Sequence, residues 1–571
     1  MTTMSLAAPA LGARGSRREI GHEDPAGDPG VEARNVLAGV RLWWQAAARR
    51  AGLDGDWLEI DRAVAGLRAA PHSEAPADLL GASAEQLGEH YVAALSAGTR
   101  ARHGRHYTPK PLADHLWELA RTSLGQRLPG LPLPGLIRDP ACGGGALLLA
   151  PLRQHLAATA HDEPAQTLRQ IPDLIEGVDA DPSAAWLASV VLAAELLPLV
   201  GRLPAAERHP LPALATVGDG LAAAPRPARA VIMNPPYGRV RLDSDARARW
   251  GRYLYGHANL YGLFLGAGLE SLDAQGVLAA LVPTSFLAGR YFTATRRELA
   301  SQAPLHSVTF VEERDGVFAG VLQETCIAVF GRKRARRTSI ASVNGHVSSV
   351  ARVPSPRGEL PWVMPRRSDD AHVAAAAAKM TENLGTLGWR VSTGPLVWNR
   401  RRDDLHPRAG RNRAQVIWAA DLDGGLLHRD RARDAMRWLE LRGSDDAVML
   451  LREPSILVQR TTAPEQARRI VSAQITAEDL AELGGRAVIE NHVNVLRPAA
   501  SAGDTAITQA TLAAVLSTST IDRLMRCISG SVALSAYELE ALPLPNASIL
   551  ESWEPLRGTD LERAVAAAYR P

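Results

Sequence analysis

The spacing of hydrophobic positions changes along the chain and predicts a different kind of element in each region. From residue 36 to about residue 95 apolar residues recur at helical intervals, which predicts a helical subdomain over residues 35–100. Between about residues 105 and 335, short apolar runs typical of buried strands alternate with helical stretches. This alternation predicts an α/β fold with a doubly wound, mostly parallel sheet, whose ligands bind at the carboxyl ends of its strands.

Glycine, proline and charge mark the boundaries of these regions. Residues 1–34 are rich in all three and are predicted to be disordered. The α/β domain is predicted over residues 101–337, and prolines at positions 354, 356, 361 and 365 predict a linker over residues 338–375. Residues 376–571 mix strand-like and helical runs, which predicts a mixed α+β domain of unspecified topology.

Net charge does not by itself indicate a nucleic-acid-binding protein, because the chain carries 64 basic and 61 acidic residues. Local clustering is more informative, since residues 332–337 read Arg-Lys-Arg-Ala-Arg-Arg and residues 400–402 are all arginine. Either cluster can contact phosphates, with a solvated loop as the alternative. The candidates for such contacts are Arg332, Lys333, Arg334, Arg400 and Arg401.

Cysteine usage and the apolar runs bear on where the protein resides. Cys142, Cys326 and Cys527 lie far apart and match neither a metal-binding spacing nor a disulfide framework, which predicts a reducing, cytoplasmic location. The first residues lack a basic region before their apolar stretch, so no secretion signal is predicted. The longest apolar run, residues 186–200, is too short for a membrane span and contains Glu195. We therefore expect a soluble protein.

The strongest indication of chemistry is Asn234-Pro235-Pro236-Tyr237, which follows an apolar run and fits a rigid turn at the end of a buried strand. The prolines remove two backbone donors, so the turn offers carbonyl oxygens and an amide beside an aromatic face. An exocyclic amine of adenine is a poor nucleophile until acceptors hold its hydrogens, and the Asn234 side-chain oxygen and the Pro235 carbonyl can supply them. Tyr237 is then expected to stack on the base. The alternative is a structural Pro-rich turn.

A glycine cluster follows another short apolar run, because residues 139–145 read Asp-Pro-Ala-Cys-Gly-Gly-Gly and precede a helix-like stretch. Such a strand-to-helix turn lets backbone approach a ligand closely. Its spacing fits neither the dinucleotide fingerprint nor the loop that grips nucleoside triphosphates. A smaller, nucleoside-like cofactor remains allowed, and a purely structural turn is the alternative.

Two acidic turns follow further strand-like runs. Asp179 lies where a carboxylate can accept hydrogen bonds from ribose hydroxyls, and Asp219 can accept one from an adenine amino group. Asp181 precedes Pro182 and is predicted to cap the helix that begins there. Taken singly, Asp179 and Asp219 also fit caps or turns.

Together with Tyr107-Thr108-Pro109, which precedes a helical stretch, these motifs resemble the N6-adenine DNA methyltransferases of type II restriction-modification systems, which use S-adenosylmethionine. Their order resembles the gamma arrangement, in which the target-recognition region follows the catalytic domain. The likeness covers roughly residues 100–548. It implies a methyltransferase fold over residues 101–337 and a DNA target-recognition domain over residues 376–571.

The resemblance also implies roles for particular residues. Asn234, Pro235, Pro236 and Tyr237 are the implied catalytic residues, and no metal is expected. The target adenine is expected to be flipped out of the duplex and stacked between Tyr237 and Phe330. The alternative for Phe330 is a position in the protein core. Family members often carry Phe or Tyr at the position of Cys142, which leaves the role of that side chain open. The implied cofactor-binding residues are Thr108, Pro109, Asp139, Ala141, Cys142, Gly143, Gly145, Asp179 and Asp219.

The implied partners are double-stranded DNA and a separate cognate endonuclease, but several alternatives remain open. Similar motifs occur in methyltransferases that act on RNA or on protein glutamine, although the long carboxyl-terminal half exceeds what a small substrate needs. Cytosine N4 presents the same two donors as adenine N6, and the Asn-Pro-Pro-Tyr form favours adenine. A fused enzyme that also cuts DNA is disfavoured, because a nuclease site of the Asp…Glu-x-Lys type needs a lysine and none precedes Lys110. A non-catalytic DNA-binding module is the remaining alternative.

Overall fold

The computed structural model describes residues 18–19, 31–67, 77–96, 107–126, 128, 130–312, 324–428, 436–462, 466–499, 505–530 and 533–570. The chain forms two compact units, Met1–Val282 and Pro283–Pro571. Most of the predicted disordered segment, residues 1–34, lies outside the described residues, and the first long helix begins at Val31.

In the first unit, the short strand β1 precedes a mainly helical part, and alternating strands and helices follow. Its helices are α1 (Val31–Arg50), α2 (Ile60–Ala63), α3 (Ala84–Ala94), α4 (Lys110–Ser123), α5 (Ala146–Ala158), α6 (Pro164–Leu174), α7 (Pro182–Gly201), α8 (Ser244–Trp250) and α9 (Leu260–Glu270). Its strands are β1 (Arg18–Glu19), β2 (Val64–Ala65), β3 (Ile137–Asp139), β4 (Ile175–Asp179), β5 (Leu211–Pro212), β6 (Ala215–Val217), β7 (Ala228–Met233), β8 (Arg239–Arg241), β9 (Ala258–Asn259) and β10 (Leu272–Pro283).

The main sheet of this unit has the strand order β10-β7-β3-β4-β6, and every neighbouring pair is parallel. Residues 230–233 of β7 are completely buried, as expected for a strand covered on both faces. The chain runs outward from β3 in one direction through β4 and β6, then in the other through β7 and β10. The predicted doubly wound parallel sheet is confirmed, and its switch point lies between β3 and β7, where such sheets bind ligands.

Helix α7 illustrates how burial decides the character of an apolar helix. It is long and apolar enough to cross a membrane by composition alone, but most of it is buried inside the unit, where it packs on α1, β4 and β6. A helix that is hydrophobic all round fits such a core position. Asp181 caps its start by accepting a hydrogen bond from the backbone N–H of Ser183 at 3.0 Å, which confirms the predicted cap.

The second unit contains smaller sheets and shorter helices. Its helices are α10 (Ser285–Ala288), α11 (Thr293–Gln302), α12 (Ala371–Ala377), α13 (Asp445–Val448), α14 (Ala477–Glu482), α15 (Gln509–Leu516), α16 (Ser519–Ile528), α17 (Ala536–Glu540), α18 (Ala547–Trp553) and α19 (Gly558–Ala568). Its strands are β11 (Leu305–Val311), β12 (Thr325–Gly331), β13 (Arg337–Asn344), β14 (His346–Pro354), β15 (Trp389–Thr393), β16 (Leu405–His406), β17 (Arg413–Ile417), β18 (Leu422–Asp423), β19 (Leu426–Leu427), β20 (Trp438–Glu440), β21 (Leu450–Leu451), β22 (Ser455–Gln459), β23 (Ser472–Ile475), β24 (Ala487–Ile489) and β25 (Val493–Pro498).

Within this unit the strands fall into the orders β14-β13-β11-β12, β15-β25-β22-β23 and β16-β20-β17-β24-β21. Residues 338–354, predicted as part of a linker, instead form most of the hairpin β13–β14. Buried Thr338 and Ile340 alternate there with exposed positions, and Gly345 supplies the positive φ of 68° that its tight turn requires. Nearby prolines masked this alternation in the sequence.

Candidate active site

A cavity of about 340 Å³ opens at the carboxyl ends of β3, β4, β6 and β7 in the first unit. This is the edge of a parallel sheet at which ligands bind. The residues that line it are Tyr91, Val92, Leu95, Tyr107, Thr108, Asp139, Pro140, Ala141, Cys142, Gly143, Gly144, Ala146, Leu147, Asp179, Ala180, Asp181, Ala184, Asp219, Gly220, Leu221, Asn234, Pro236, Leu260 and Phe264.

The structure brings most of the predicted site residues to this one cavity. Thr108, Asp139, Ala141, Cys142, Gly143, Asp179, Asp219, Asn234 and Pro236 line it directly. Pro109, Gly145, Pro235 and Tyr237 adjoin these residues in the chain without lining the cavity. The five segments singled out in the sequence therefore meet at a single cavity.

The glycine loop between β3 and α5 forms one wall. Gly143 and Gly145 have φ values of 52° and 86°, which glycine adopts without strain. A side chain at Gly145 would lie 3.2 Å from the Cα of Ala188, so this glycine also lets α5 pack closely on α7. The Cys142 side chain points into the protein, and burial raises the pKa of its thiol well above the ordinary value. The thiol therefore stays protonated.

Asp179, at the end of β4, holds the loop in place. One carboxylate oxygen accepts a hydrogen bond from the backbone N–H of Gly143 at 2.8 Å, and the other accepts one from the backbone N–H of Asp181 at 2.8 Å. The Asp179 side chain lines the cavity as well as holding the loop. Asp181 in turn accepts a hydrogen bond from the Tyr91 hydroxyl at 3.0 Å, which attaches α3 to the same wall.

Asp139, at the end of β3, is the most deeply buried carboxyl group of the site, with 1% of its surface exposed. Its Oδ1 accepts a hydrogen bond from the backbone N–H of Ala141 at 3.0 Å. Its Oδ2 is buried and has no hydrogen-bond partner in the part of the chain that the structure describes. Burial, assisted by the negative charge of Asp179, raises the pKa of Asp139 to about 8. A cation in the cavity would favour the ionised form.

Asp219 and Gly220, in the turn after β6, also line the cavity. Asp219 is exposed, and its carboxylate accepts a hydrogen bond from the backbone N–H of Leu221 at 2.9 Å. A side chain at Gly220 would come within 1.8 Å of the carbonyl oxygen of Pro140, so only glycine fits there. This close approach joins the turn after β6 to the loop after β3.

Asn234 is held from both sides at the end of β7. Its amide nitrogen donates to the Thr108 hydroxyl at 3.0 Å, and its amide oxygen accepts from the Tyr237 hydroxyl at 2.9 Å. The Tyr237 hydroxyl also lies 3.1 Å from the carbonyl oxygen of Leu281 in β10. The Tyr237 ring meets Tyr261 edge to face, with ring centroids 6.0 Å apart. These contacts fix the direction of the Asn234 amide.

Sequence reasoning assigned no role to the residues that form the aromatic and apolar walls of the cavity. Tyr91 comes from α3, Tyr107 precedes the Thr108-Pro109 turn, and Leu260 and Phe264 come from α9. The Tyr107 hydroxyl is buried without a hydrogen-bond partner among the described residues, and burial raises the pKa of its phenol. Only helical spacing marked Tyr91 and Phe264, and that signal does not distinguish a cavity wall from a core position.

Two predicted residues of the second unit do not occupy the positions expected of them. Phe330 is completely buried and packs against Phe286 and Trp362, with ring centroids 6.2 and 6.4 Å away. No face of its ring is open to a base, so Phe330 is a core residue, which was the alternative prediction. Arg401 is also buried, where it pairs with Asp404 and Asp445, so it is not a surface contact for phosphates.

The other predicted phosphate contacts are more accessible. Lys333, Arg334 and Arg400 are exposed. Arg332 is half-buried and donates to the backbone and side chain of Gln302, each at 3.3 Å. Their contact with DNA remains a prediction.

Comparison with known proteins agrees with this geometry. Residues 229–318, which include all but the first residue of β7 and the whole Asn-Pro-Pro-Tyr turn, match the model of the Eco57I restriction-modification methylase family. The chain is 25% identical to the type II methyltransferase M.PstI of Providencia stuartii over 343 residues. This alignment covers 56% of this chain and 65% of that protein. It is 22% identical to the type II methyltransferase M.BsuBI of Bacillus subtilis over 334 residues, and this alignment covers 56% of this chain and 66% of that protein. The matches thus span a little under two thirds of these relatives.

A solved structure shows a similar fold. The type IIL restriction-modification enzyme MmeI, determined in complex with DNA, aligns over 95% of this chain and 89% of its own, with a TM-score of 0.50 and 14% identity. These matches confirm the resemblance to restriction-modification methyltransferases that the motifs predicted.

Proposed function

We propose that this protein is a site-specific DNA methyltransferase that transfers a methyl group from S-adenosylmethionine to the N6 amino group of an adenine in a short duplex sequence. The observation that carries the proposal is the position of Asn234, which lies in the cavity wall beside the glycine loop and is held by Thr108 and Tyr237. The type II methyltransferases among its relatives support DNA as the substrate.

The residues of the cavity fit S-adenosylmethionine, which combines a nucleoside with a cationic amino-acid group. Asp179 lines the cavity and is the proposed acceptor for ribose hydroxyls, and exposed Asp219 offers a carboxylate to an adenine amino group. Leu260 and Phe264 supply apolar surface for a base. The Oδ2 of Asp139, which has no hydrogen-bond partner among the described residues, offers a negative charge to a cation. When bound, the cofactor supplies an electrophilic methyl group on a sulfonium.

The protein contributes orientation and polarisation of the acceptor amine. A carbonyl oxygen has two lone pairs, and the Tyr237 hydroxyl occupies one at Asn234, so the other can accept a hydrogen from the target amine. The Pro235 carbonyl, in the same turn, is the proposed acceptor of the second hydrogen. Two such bonds concentrate the nitrogen lone pair for attack, which is catalysis by positioning and electrostatics. The mechanism requires no metal.

The substrate must present its amine outside the base stack. In duplex DNA the adenine amino group is paired and stacked, and a cleft of this kind reaches it only after the base is flipped. Tyr237 is the proposed stacking surface; Phe330 is not, because its ring is enclosed. The second unit is the proposed target-recognition region. A separately encoded endonuclease of the same site is the proposed functional partner.

The test is base-modification mapping of plasmid DNA from cells that express the wild-type chain, Asn234→Ala or Asn35→Ala. Asn35 is an exposed residue of α1 and serves as the matched control. We expect N6-methyladenine at one short motif with the wild type and with Asn35→Ala. In Asn234→Ala the turnover rate should fall by about 10²–10³-fold, the usual cost of losing one oriented hydrogen-bond partner of the transition state.

Titration with S-adenosylmethionine makes the result interpretable. Asn234→Ala should still bind the cofactor, whereas Asp179→Ala should bind it weakly. Methylcytosine in place of methyladenine would contradict the proposed acceptor. No modified base, despite soluble wild-type protein that binds the cofactor, would contradict DNA as the substrate and favour RNA or protein glutamine.

A further inference from the structure

The chain between residues 332 and 358 is unusually one-sided in charge. It contains no aspartate or glutamate. Its basic residues are Arg332, Lys333, Arg334, Arg336, Arg337, Arg352 and Arg357. Since the whole protein carries nearly equal numbers of basic and acidic residues, this segment departs sharply from its average composition.

The fold brings the two ends of this segment together. Hairpin β13–β14 pairs Arg337 with Pro354 and Ser339 with Arg352, and the backbone N–H of Ser355 donates to the carbonyl of Arg336 at 3.1 Å. The basic residues before β13 therefore lie beside those at the end of β14. We call this end of the hairpin the basic hairpin base; its exposed members are Lys333, Arg334, Arg336, Arg337, Arg352 and Arg357.

Most of these charges have no counterion in the part of the chain that the structure describes. Among the described residues, no carboxylate forms a salt bridge with Lys333, Arg334, Arg336, Arg352 or Arg357. Glu359, the next acidic residue along the chain, is paired with Arg297 at 3.2 Å. Glu312 lies at the opposite end of the hairpin, where its backbone N–H donates to the carbonyl of Val343.

This arrangement costs stability and therefore points to an external partner. Neighbouring like charges repel one another, and that repulsion is relieved when an anion binds across them. Arginines elsewhere in the same unit are instead neutralised internally, as with Arg366 and Glu324 or Arg437 and Asp421. Ser339 lies on the same exposed face as Arg352 and adds a hydroxyl donor suited to phosphate oxygens.

We infer that the basic hairpin base binds the phosphate backbone of duplex DNA without reading its sequence. This inference rests on the proposed function and extends it by naming the surface that supplies sequence-independent affinity. Each phosphate that the hairpin neutralises releases condensed counterions, so these contacts weaken as salt concentration rises. They position the duplex and leave the choice of target to other residues.

The test compares the triple variant Arg334→Gln/Arg336→Gln/Arg352→Gln with Arg49→Gln/Arg50→Gln/Arg570→Gln, which removes the same charge from exposed arginines elsewhere. Binding of a fluorescent duplex of random sequence is measured across a series of salt concentrations. The slope of log affinity against log salt should become less steep by about one for each lost phosphate contact, hence by about three in the hairpin variant. The control should keep the wild-type slope.

Methylation separates this inference from the proposed function. In low salt and saturating DNA, the hairpin variant should modify the same motif as the wild type, and it should bind S-adenosylmethionine equally well. An unchanged slope in the hairpin variant, or an equal change in the control, would overturn the inference. Absence of methylation by the wild type would instead contradict the proposed function, whatever the binding slopes show.

Discussion

At the scale of single residues, the site depends on acceptor groups that local contacts hold in place. Thr108 and Tyr237 orient the Asn234 amide, and the backbone N–H of Gly143 orients Asp179. Asp139 differs from these residues, because burial leaves one of its carboxyl oxygens without a partner in the described structure. Its ionisation is therefore expected to make the site sensitive to pH.

Asp139 is expected to make the stability of the ligand-free protein fall as pH rises. Burial raises its pKa from about 3.8 to about 8, so the folded protein holds this proton more tightly than the unfolded chain does. Its stabilising contribution is fully present below about pH 4 and is lost as pH rises through about 8. Denaturant unfolding across this pH range measures the free energy of unfolding of the wild type and of Asp139→Asn. As pH rises, the wild type should steadily lose stability relative to the variant. A constant difference would show that Asp139 ionises normally.

At the scale of elements, buried ion pairs connect strands and turns of the second unit. Arg437 precedes β20 and donates to both carboxylate oxygens of Asp421, at 2.7 and 2.8 Å. The Arg437 side chain is 8% exposed and the Asp421 side chain is 1% exposed. Asp421 also accepts a hydrogen bond from the backbone N–H of Trp418, so the pair fixes the turn that follows β17.

Removing one partner of this pair should be costly. Arg437→Met leaves the Asp421 carboxylate buried without its counterion, which we expect to lower the free energy of unfolding by about 3–5 kcal/mol. Arg452→Met is the matched control, because Arg452 pairs with Asp446 at the surface, where the side chains are 50% and 69% exposed. The control should cost no more than about 1 kcal/mol. Urea unfolding followed by circular dichroism measures both, and equal losses would contradict this account.

At the scale of the whole molecule, each unit has its own core. The first unit surrounds a parallel sheet with the candidate active site at one edge, whereas the second contains several sheets with separate apolar clusters. All residues that line the cavity belong to the first unit. Cofactor binding is therefore expected to act on that unit.

S-adenosylmethionine is expected to stabilise the protein through this cavity. A ligand that binds only the folded state at about 100 times its Kd adds about 2.7 kcal/mol to the free energy of unfolding. Thermal denaturation with and without the cofactor measures the effect as a rise in Tm. Asp179→Ala, whose lost carboxylate holds the glycine loop, should show a much smaller rise at the same concentration. No shift in the wild type at any concentration would contradict the assignment of the cavity.

The resemblance and local pattern together predicted much of the fold and site, and tertiary structure decided the rest. The glycine loop, the Asp181 cap and the Asn-Pro-Pro-Tyr turn were recognisable because adjacent residues fix backbone geometry. Phe330 and Arg401 behaved differently, since distant segments bury the phenyl ring and neutralise the guanidinium.

The amino-acid sequence by itself determined which chemical groups stand at the ends of β3, β4, β6 and β7, because each motif is continuous in the chain. Only the tertiary structure decided that these groups share one cavity, that Tyr91 and Phe264 help to enclose it, and that the basic hairpin base gathers charge from both of its ends. The physical reason is that backbone turns depend on neighbouring residues, whereas burial, charge pairing and cavity shape depend on segments that meet only after the chain has folded.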